Sequence, residues 1–160
     1  MIIEININFQ TLDIIDNNQL KIKSYQISSA KNGVGQEQGS LCTPLGKHII
    51  RAKIGAGLPI NTIFIGRRPT GEIFSSNLEK KFQDRDWILT RILWLSGCEQ
   101  GFNRLGTVDT MRRYIYIHGS PDSIKIGEPG SKGCIRMLNP DLLELFNLID
   151  IGTEVNIKQK

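Results

Sequence analysis

The sequence predicts a mainly β domain with one or two helices, an α+β fold. Two patterns carry this prediction. Several short segments alternate apolar and polar residues, as strands with one buried face do, and glycine, asparagine and proline separate them. One stretch near the C-terminus has the apolar spacing of a helix instead. At 160 residues, the chain suits a single domain that covers residues 1–160.

The predicted strands are short and spread along the whole chain. Asp86 to Leu95 fits either a buried strand or a short helix, and we favour the strand. The other strands are predicted from alternating segments at residues 2–8, 20–27, 47–54, 61–65, 113–117 and 153–158.

The helix is predicted near the C-terminus. Asn139 is a suitable N-cap, Pro140 suits the first helical position, and residues 141–149 supply an apolar stripe. Gly152 follows soon after this stripe, before the last predicted strand.

Two long loops separate the predicted elements. Residues 29–44 are rich in glycine and polar residues, so we expect them to connect strands at the surface. Residues 120–133 contain glycines and prolines that resist regular structure. We expect this second loop to bring Cys134 back beside His118.

Composition excludes several classes of protein. A hydrophobic fraction of 39% and a charged fraction of 22% are ordinary for a soluble globular protein. No apolar run is long enough to span a bilayer, so membrane insertion is not expected. The net charge of +4 comes without a basic nucleic-acid motif, so nucleic acid is not an expected partner.

The N-terminus and the cysteines predict a cytoplasmic protein. Residues 1–15 lack a basic leader and a small-residue cleavage site, so they do not resemble a signal peptide. Three cysteines at wide spacings fit a reducing compartment, and no CxxC pair indicates zinc. A periplasmic location is the alternative if a native leader has been removed.

His118 and Cys134 are the candidate catalytic pair. A cysteine becomes an effective nucleophile when a nearby imidazole or cation favours its thiolate, and Lys132 and Arg136 flank Cys134. Gly133 has no side chain, so the N–H groups of Gly133 and Cys134 could form an oxyanion hole. The alternative is a hydrogen-bonded structural histidine and a buried, inert cysteine.

The other two cysteines are interpreted as structural residues, and the basic residues around the candidate site as a region that attracts anions. Cys42 precedes TPLG and Cys98 follows the apolar RILWLSG, and we interpret both as small buried residues. Between Arg104 and Arg136 the chain has six basic and three acidic residues, which would attract a ligand that carries carboxylates.

Four segments together carry a family resemblance. They are TPLGKHII, DTMRRYIYIHG, the HGS that follows, and SKGCIRM, in that order. They resemble the YkuD-type L,D-transpeptidases, in which a histidine-glycine element and an [S/T]-x-G-C element flank a glycine-rich loop. The resemblance covers roughly residues 42–155 and implies a β-sandwich-like catalytic domain. Many members have His where Lys132 stands and Asn where Arg136 stands, so side-chain roles at these two positions are not transferred.

The resemblance implies a role for each residue of the motif. Cys134 would be the nucleophile, His118 its base, and the Gly119 backbone carbonyl the group that orients the imidazole. Gly133 and Cys134 would stabilise the oxyanion. Ser131, Lys132 and Arg136 are the candidate substrate-binding residues because they lie beside Cys134 in the sequence, and the substrate's free carboxylates would account for the cationic surroundings. No metal or organic cofactor would be needed.

The resemblance also implies the partners, which are peptidoglycan stem peptides or muropeptides. Cys134 would attack the L-centre carbonyl of the diamino acid, expel the terminal D-alanine and hold the acyl group as a thioester. Because no leader is recognised, we favour an L,D-carboxypeptidase in cytoplasmic muropeptide recycling. The alternatives are a crosslinking L,D-transpeptidase and a silent peptidoglycan-binding module, whereas a papain-like protease would need a cysteine signature that is absent. The oligomeric state is left open.

Overall fold

The computed structural model describes residues 1–160 and contains ten strands, two α-helices and one turn of 3-10 helix. The helices are α1 (Ser76–Lys81) and α2 (Asn139–Leu148), and the 3-10 turn is Gly106–Val108. The strands are β1 (Ile2–Asn6), β2 (Thr11–Ile15), β3 (Lys21–Ser28), β4 (Gly46–Ile54), β5 (Thr62–Ile65), β6 (Arg68–Ile73), β7 (Ile88–Gly97), β8 (Tyr116–Gly119), β9 (Ile135–Met137) and β10 (Glu154–Lys158).

All ten strands belong to one sheet that closes on itself. Their order is β4-β10-β1-β2-β3-β9-β8-β7-β5-β6, and a further pairing of β4 with β7 joins the sheet into a barrel-like ring. Two neighbouring pairs, β1–β10 and β8–β9, are parallel, and the others are antiparallel. The β5–β6 hairpin extends from one side of β7 and leaves β6 as an exposed edge.

One hydrophobic core fills the ring. It contains 19 buried residues, contributed by β1 to β4, by β7 to β10 and by α2, together with Ile115 just before β8 and Ile149 just after α2. Burial follows period two in β1 and β2, as expected for strands with one face in a core. Helix α2 contributes Leu142, Leu145 and Phe146, spaced so that they share one face.

The predicted fold class is confirmed, with changes at the level of single elements. The favoured strand at residues 86–95 is observed as β7, and the sequence prediction omitted β2, β6 and β9. The strand predicted at 113–117 begins later, at Tyr116, because residues 109–114 form a turn. The Arg113 N–H donates to the Asp109 carbonyl, and the Tyr114 N–H donates to the Met111 carbonyl. His118 therefore lies inside a strand.

Asn139 does not cap its own helix as predicted. The N-cap position is Leu138, and the Asn139 side chain is buried behind β8. Its Oδ1 accepts from Thr90 Oγ1 at 2.6 Å, and its Nδ2 donates to Asn61 Oδ1 at 3.1 Å and to the Ser120 carbonyl at 2.9 Å. Tertiary hydrogen bonds have replaced the local cap, and they tie α2 to the end of β8.

Neither helix has the length and apolarity needed to cross a lipid bilayer.

Replacing Asn139 by alanine should lower the free energy of unfolding by about 2–4 kcal/mol, because the buried Thr90 hydroxyl would lose its acceptor and the Ser120 carbonyl would lose its donor. Urea unfolding of both proteins measures this. Asn147→Ala is the matched control, since Asn147 lies on the same helix but is exposed. Equal, small losses in the two variants would contradict the role assigned to Asn139.

Candidate active site

The parallel pairing of β8 with β9 places the candidate catalytic residues on one face. Ile117 pairs with Ile135, and both are fully buried in the core. Successive side chains on a strand point to opposite faces, so His118 on β8 and Cys134, just before β9, point away from the core. The structure therefore brings the two residues together, as the sequence predicted.

His118 is buried, with 1% of its surface exposed, and its ring is fixed by one hydrogen bond. Its Nδ1 lies 2.6 Å from the Gly119 carbonyl oxygen. Because a carbonyl oxygen only accepts, Nδ1 carries the hydrogen, and Nε2 is left as the basic nitrogen. Burial lowers the pKa of His118, so the resting imidazole is neutral at pH 7.

Cys134 is held as a thiol. Its Sγ donates to the Tyr114 carbonyl at 3.4 Å and accepts from the Tyr116 N–H at 3.3 Å. Burial raises the pKa of Cys134 to about 12, and the nearby Asp86 carboxylate acts in the same direction, while Arg136 and Arg113 oppose it. The resting site is therefore a neutral thiol beside a neutral imidazole, and the thiolate expected from the flanking cations is not preformed.

The turn that carries Cys134 is held by Ser131. The Ser131 hydroxyl donates to the Cys134 carbonyl at 2.5 Å and accepts from the Gly133 N–H at 3.2 Å. This changes two sequence-based assignments. Ser131 is buried and its hydroxyl is engaged in the turn, so it is not free to bind substrate, and the Gly133 N–H is already paired. The Cys134 N–H makes no hydrogen bond within the protein and is the donor available to an oxyanion.

The loop at residues 29–44 supports the same turn from the other side. Thr43 Oγ1 donates to the Gly133 carbonyl at 2.9 Å, and the Ser29 carbonyl accepts from the N–H groups of Gly130 and Ser131. Gly133 has a φ of +129° with the Cys42 carbonyl 3.2 Å from where a Cβ would lie, so a side chain there would be strained. The loop expected to be a surface connection is in part a support for the catalytic turn.

Arg113 fixes this loop against the site. Its guanidinium donates to the carbonyl oxygens of Gly35, Gln36 and Cys42 and to Ser40 Oγ, at 2.7–3.3 Å. Four acceptors occupy most of its five N–H groups. Arg113 therefore lines the site mainly as a structural residue.

Gly119 has no room for a side chain. A Cβ there would overlap Asn139 Oδ1 and lie 2.8 Å from the Leu89 carbonyl. The absence of a side chain lets β8 pack closely against β7 and the start of α2. This contact lies at the residue whose carbonyl accepts the His118 hydrogen bond.

A cavity of about 530 Å³ opens above His118 and Cys134. Four of its side chains are cationic and one is acidic, so it favours an anionic ligand. Lys132 and Arg136, predicted as substrate-binding residues, both line it, and Arg136 pairs with Asp86 at 3.2 Å. The remaining lining residues are Gly66, Arg67, Ile88, Arg113, Tyr114, Tyr116 and Ser131.

Several cavity residues were not assigned to the site from the sequence. Arg67 comes from the β5–β6 turn and Asp86 from the segment before β7, far along the chain from the HGS and SKGC segments. Tyr116 is the cavity residue that the sequence could most readily have indicated. It lies two positions before His118 in an alternating strand, so the two side chains share a face.

The other two cysteines lie outside the cavity. Cys42 is half-buried, and its Sγ lies 3.6 Å from two carbonyl oxygens, those of Asn32 and Ser40, either of which can accept its single hydrogen. Cys98 is exposed, which corrects its interpretation as a small buried residue.

Comparison with known families identifies the type of domain. The sequence model for the YkuD family, described as the L,D-transpeptidase catalytic domain, matches residues 1–157. The chain belongs to this family. It is 42% identical over 48 residues to the Bacillus subtilis (strain 168) protein YkuD, assigned as an L,D-transpeptidase, and this match covers 30% of the chain and 29% of that protein.

Solved structures of family members share the fold. An L,D-transpeptidase from Enterococcus faecium aligns with a TM-score of 0.58 at 15% identity, over 98% of this chain and 49% of that one. L,D-transpeptidase 3 from Mycobacterium tuberculosis, solved with a faropenem-derived adduct, aligns with a TM-score of 0.58 at 14% identity, over 98% of this chain and 59% of that one. The chain therefore spans only part of the length of these relatives.

The pH dependence of Cys134 alkylation tests the neutral resting pair. With a thiol pKa of about 12, the rate with iodoacetamide should rise about tenfold per pH unit from pH 7 to pH 10, since only the thiolate reacts. A variant with Cys42→Ser and Cys98→Ser restricts labelling to Cys134. A rate that is already on a plateau near pH 7 would instead show a preformed thiolate–imidazolium pair.

Proposed function

We propose that this protein is a cysteine acyl-transfer enzyme that cleaves peptidoglycan tetrapeptide stems before the terminal D-alanine. The observation that carries the proposal is the shared cavity face of Cys134 and His118, with the imidazole oriented by the Gly119 carbonyl. Membership of the L,D-transpeptidase family supports the substrate class.

In the first half-reaction, Cys134 forms a thioester with the stem peptide. The thiol leaves the Tyr114 carbonyl and transfers its proton to His118 Nε2 as sulfur attacks the L-centre carbonyl of the diamino acid. The Cys134 N–H stabilises the oxyanion of the tetrahedral intermediate. As that intermediate collapses, the C–N bond breaks and His118 returns the proton to the departing D-alanine amine.

Asp86 supports His118 as the base in this step. Burial lowers the pKa of His118 and raises that of Cys134; the Asp86 carboxylate acts to raise both pKa values, and its ion-pair partner Arg136 acts to lower both. A negative charge at this place stabilises an imidazolium and opposes an isolated thiolate. Proton transfer to His118 and attack by sulfur therefore proceed together rather than through a free thiolate.

In the second half-reaction, we propose that water resolves the thioester, which makes the enzyme an L,D-carboxypeptidase. His118 takes a proton from water as oxygen attacks, the C–S bond breaks, and the proton returns to the sulfur. The charge of the cavity supports this choice. A crosslinking acceptor arrives as an ammonium group, and four cationic side chains against one acidic group repel it, whereas water is unaffected.

The products formed from a soluble disaccharide tetrapeptide test the acceptor. We expect tripeptide and free D-alanine in equal amounts, measured by mass spectrometry, because water faces no charge barrier in this cavity. Adding a second stem with a free side-chain amine should not divert the acyl group. Crosslinked dimer as the main product would overturn the hydrolase proposal and favour the transpeptidase. The cytoplasmic location stays a prediction, which cell fractionation would test.

A further inference from the structure

Strand β7 carries a bulge opposite the two residues that set the orientation of the catalytic imidazole. His118 on β8 pairs with Ile92 on β7. The next residue of β8, Gly119, pairs with Leu89, so two residues of β7, Thr90 and its neighbour, have no partner on β8. Bulges are frequent beside active sites, where they redirect the chain or end strand pairing. The place of this bulge therefore suggests a role in the site.

Thr90, the first residue of the bulge, has a strained backbone. Its φ is +76°, in the left-handed region that a β-branched residue rarely adopts. A residue stays in such a conformation only where the surrounding structure enforces it, and these residues cluster at functional sites. Thr90 is also fully buried. The contacts of its side chain therefore show what the strained conformation holds in place.

Two hydrogen bonds engage the Thr90 hydroxyl. Its Oγ1 accepts from the Asn61 N–H at 3.0 Å and donates to Asn139 Oδ1 at 2.6 Å. The Asn139 Nδ2 in turn donates to Asn61 Oδ1 at 3.1 Å and to the Ser120 carbonyl at 2.9 Å. Because an amide oxygen only accepts and an amide nitrogen only donates, the Thr90 hydroxyl fixes which end of the Asn139 amide faces β8.

The oriented amide contacts the residue that holds His118. Asn139 Oδ1 and a backbone carbonyl of β7 lie so close to Gly119 that they leave no space for a Cβ. They therefore restrict the peptide whose carbonyl accepts from His118 Nδ1. If this carbonyl moved away, Nδ1 would lose its acceptor and the ring could take the other tautomer. In that tautomer Nε2 carries the hydrogen and cannot accept the thiol proton.

We propose that Thr90 is a positioning residue, which holds the Gly119 carbonyl where it keeps the hydrogen of His118 on Nδ1. The catalytic consequence of this role rests on the proposed function. A purely structural role for the bulge is the alternative, since β7 changes its other neighbour at this point, from β5 at Leu89 to β4 at Ile92. That role would need the course of the backbone but not the hydroxyl.

Nitrogen-15 NMR of the imidazoles tests the proposal without substrate, because the chain has only two histidines. In the wild type both rings should carry the hydrogen on Nδ1, since His118 Nδ1 faces the Gly119 carbonyl and His48 Nδ1 faces the Gly46 carbonyl. Thr90→Val keeps the branched shape and loses the hydroxyl. It should shift the His118 signals toward the Nε2–H tautomer and leave those of His48 unchanged.

The same variant should slow catalysis without weakening substrate binding. In Thr90→Val, kcat for D-alanine release should fall about ten- to hundredfold, the cost of a misplaced catalytic group, while KM stays within about twofold. Thr90→Ser retains the hydroxyl, so it should keep the His118 signals and hold kcat within about threefold of the wild type.

Thr62→Val is the matched control. Thr62 is also a buried threonine, but its hydroxyl donates to the Pro59 carbonyl at 2.7 Å and does not contact Asn139. Its replacement should leave the His118 signals and kcat unchanged. Thr90→Gly removes the hydroxyl and relieves the backbone strain together. It should therefore fold even where Thr90→Val does not, and it should show the same shift of the His118 signals.

Unchanged His118 signals in both Thr90→Val and Thr90→Gly would overturn the proposal and leave the bulge with a structural role alone. An equal shift in Thr62→Val would overturn it as well, because the effect would then come from general loosening of the fold. No D-alanine release by the wild type would overturn the proposed function instead, and the His118 signals would still decide whether Thr90 positions the imidazole.

Discussion

Parallel pairing of β8 with β9 places Ile117 beside Ile135 in the core and leaves His118 and Cys134 on the opposite face. A slip of one residue in either strand would turn one member of the pair into the core. The surrounding hydrogen bonds act to preserve this register. Asn139 holds the end of β8, and Thr43 holds the carbonyl of Gly133 at the start of β9. Two buried polar side chains, Asn139 and Thr43, thus help to hold these two short strands.

Burial then sets the protonation states of His118 and Cys134. The same enclosure raises the pKa of Cys134 and lowers that of His118, so both are neutral until a substrate arrives. A neutral pair avoids the cost of burying separated charges. Asp86 adds a bias toward protonated His118, and the cations around the cavity attract carboxylates. In the proposed mechanism, substrate binding and nucleophile activation therefore both depend on electrostatic interactions.

The sequence was informative where the determinants are local. His118 and Cys134 lie in adjacent segments of a recognisable motif, and alternation predicted most strands. It was uninformative where distant elements meet, as with Arg67 and Asp86, because no periodicity relates them to the cysteine. Asn139 shows the same limit, since a sequence typical of an N-cap was overruled by three tertiary hydrogen bonds.

Intact mass spectrometry with a carbapenem tests most directly whether Cys134 is the acyl-accepting nucleophile. The account predicts a single stoichiometric adduct that peptide mapping places on Cys134, retained in Cys42→Ala and Cys98→Ala and lost in Cys134→Ala. A catalytically silent binding module would give no adduct. An adduct on another cysteine, or full D-alanine release by Cys134→Ala, would contradict the mechanism.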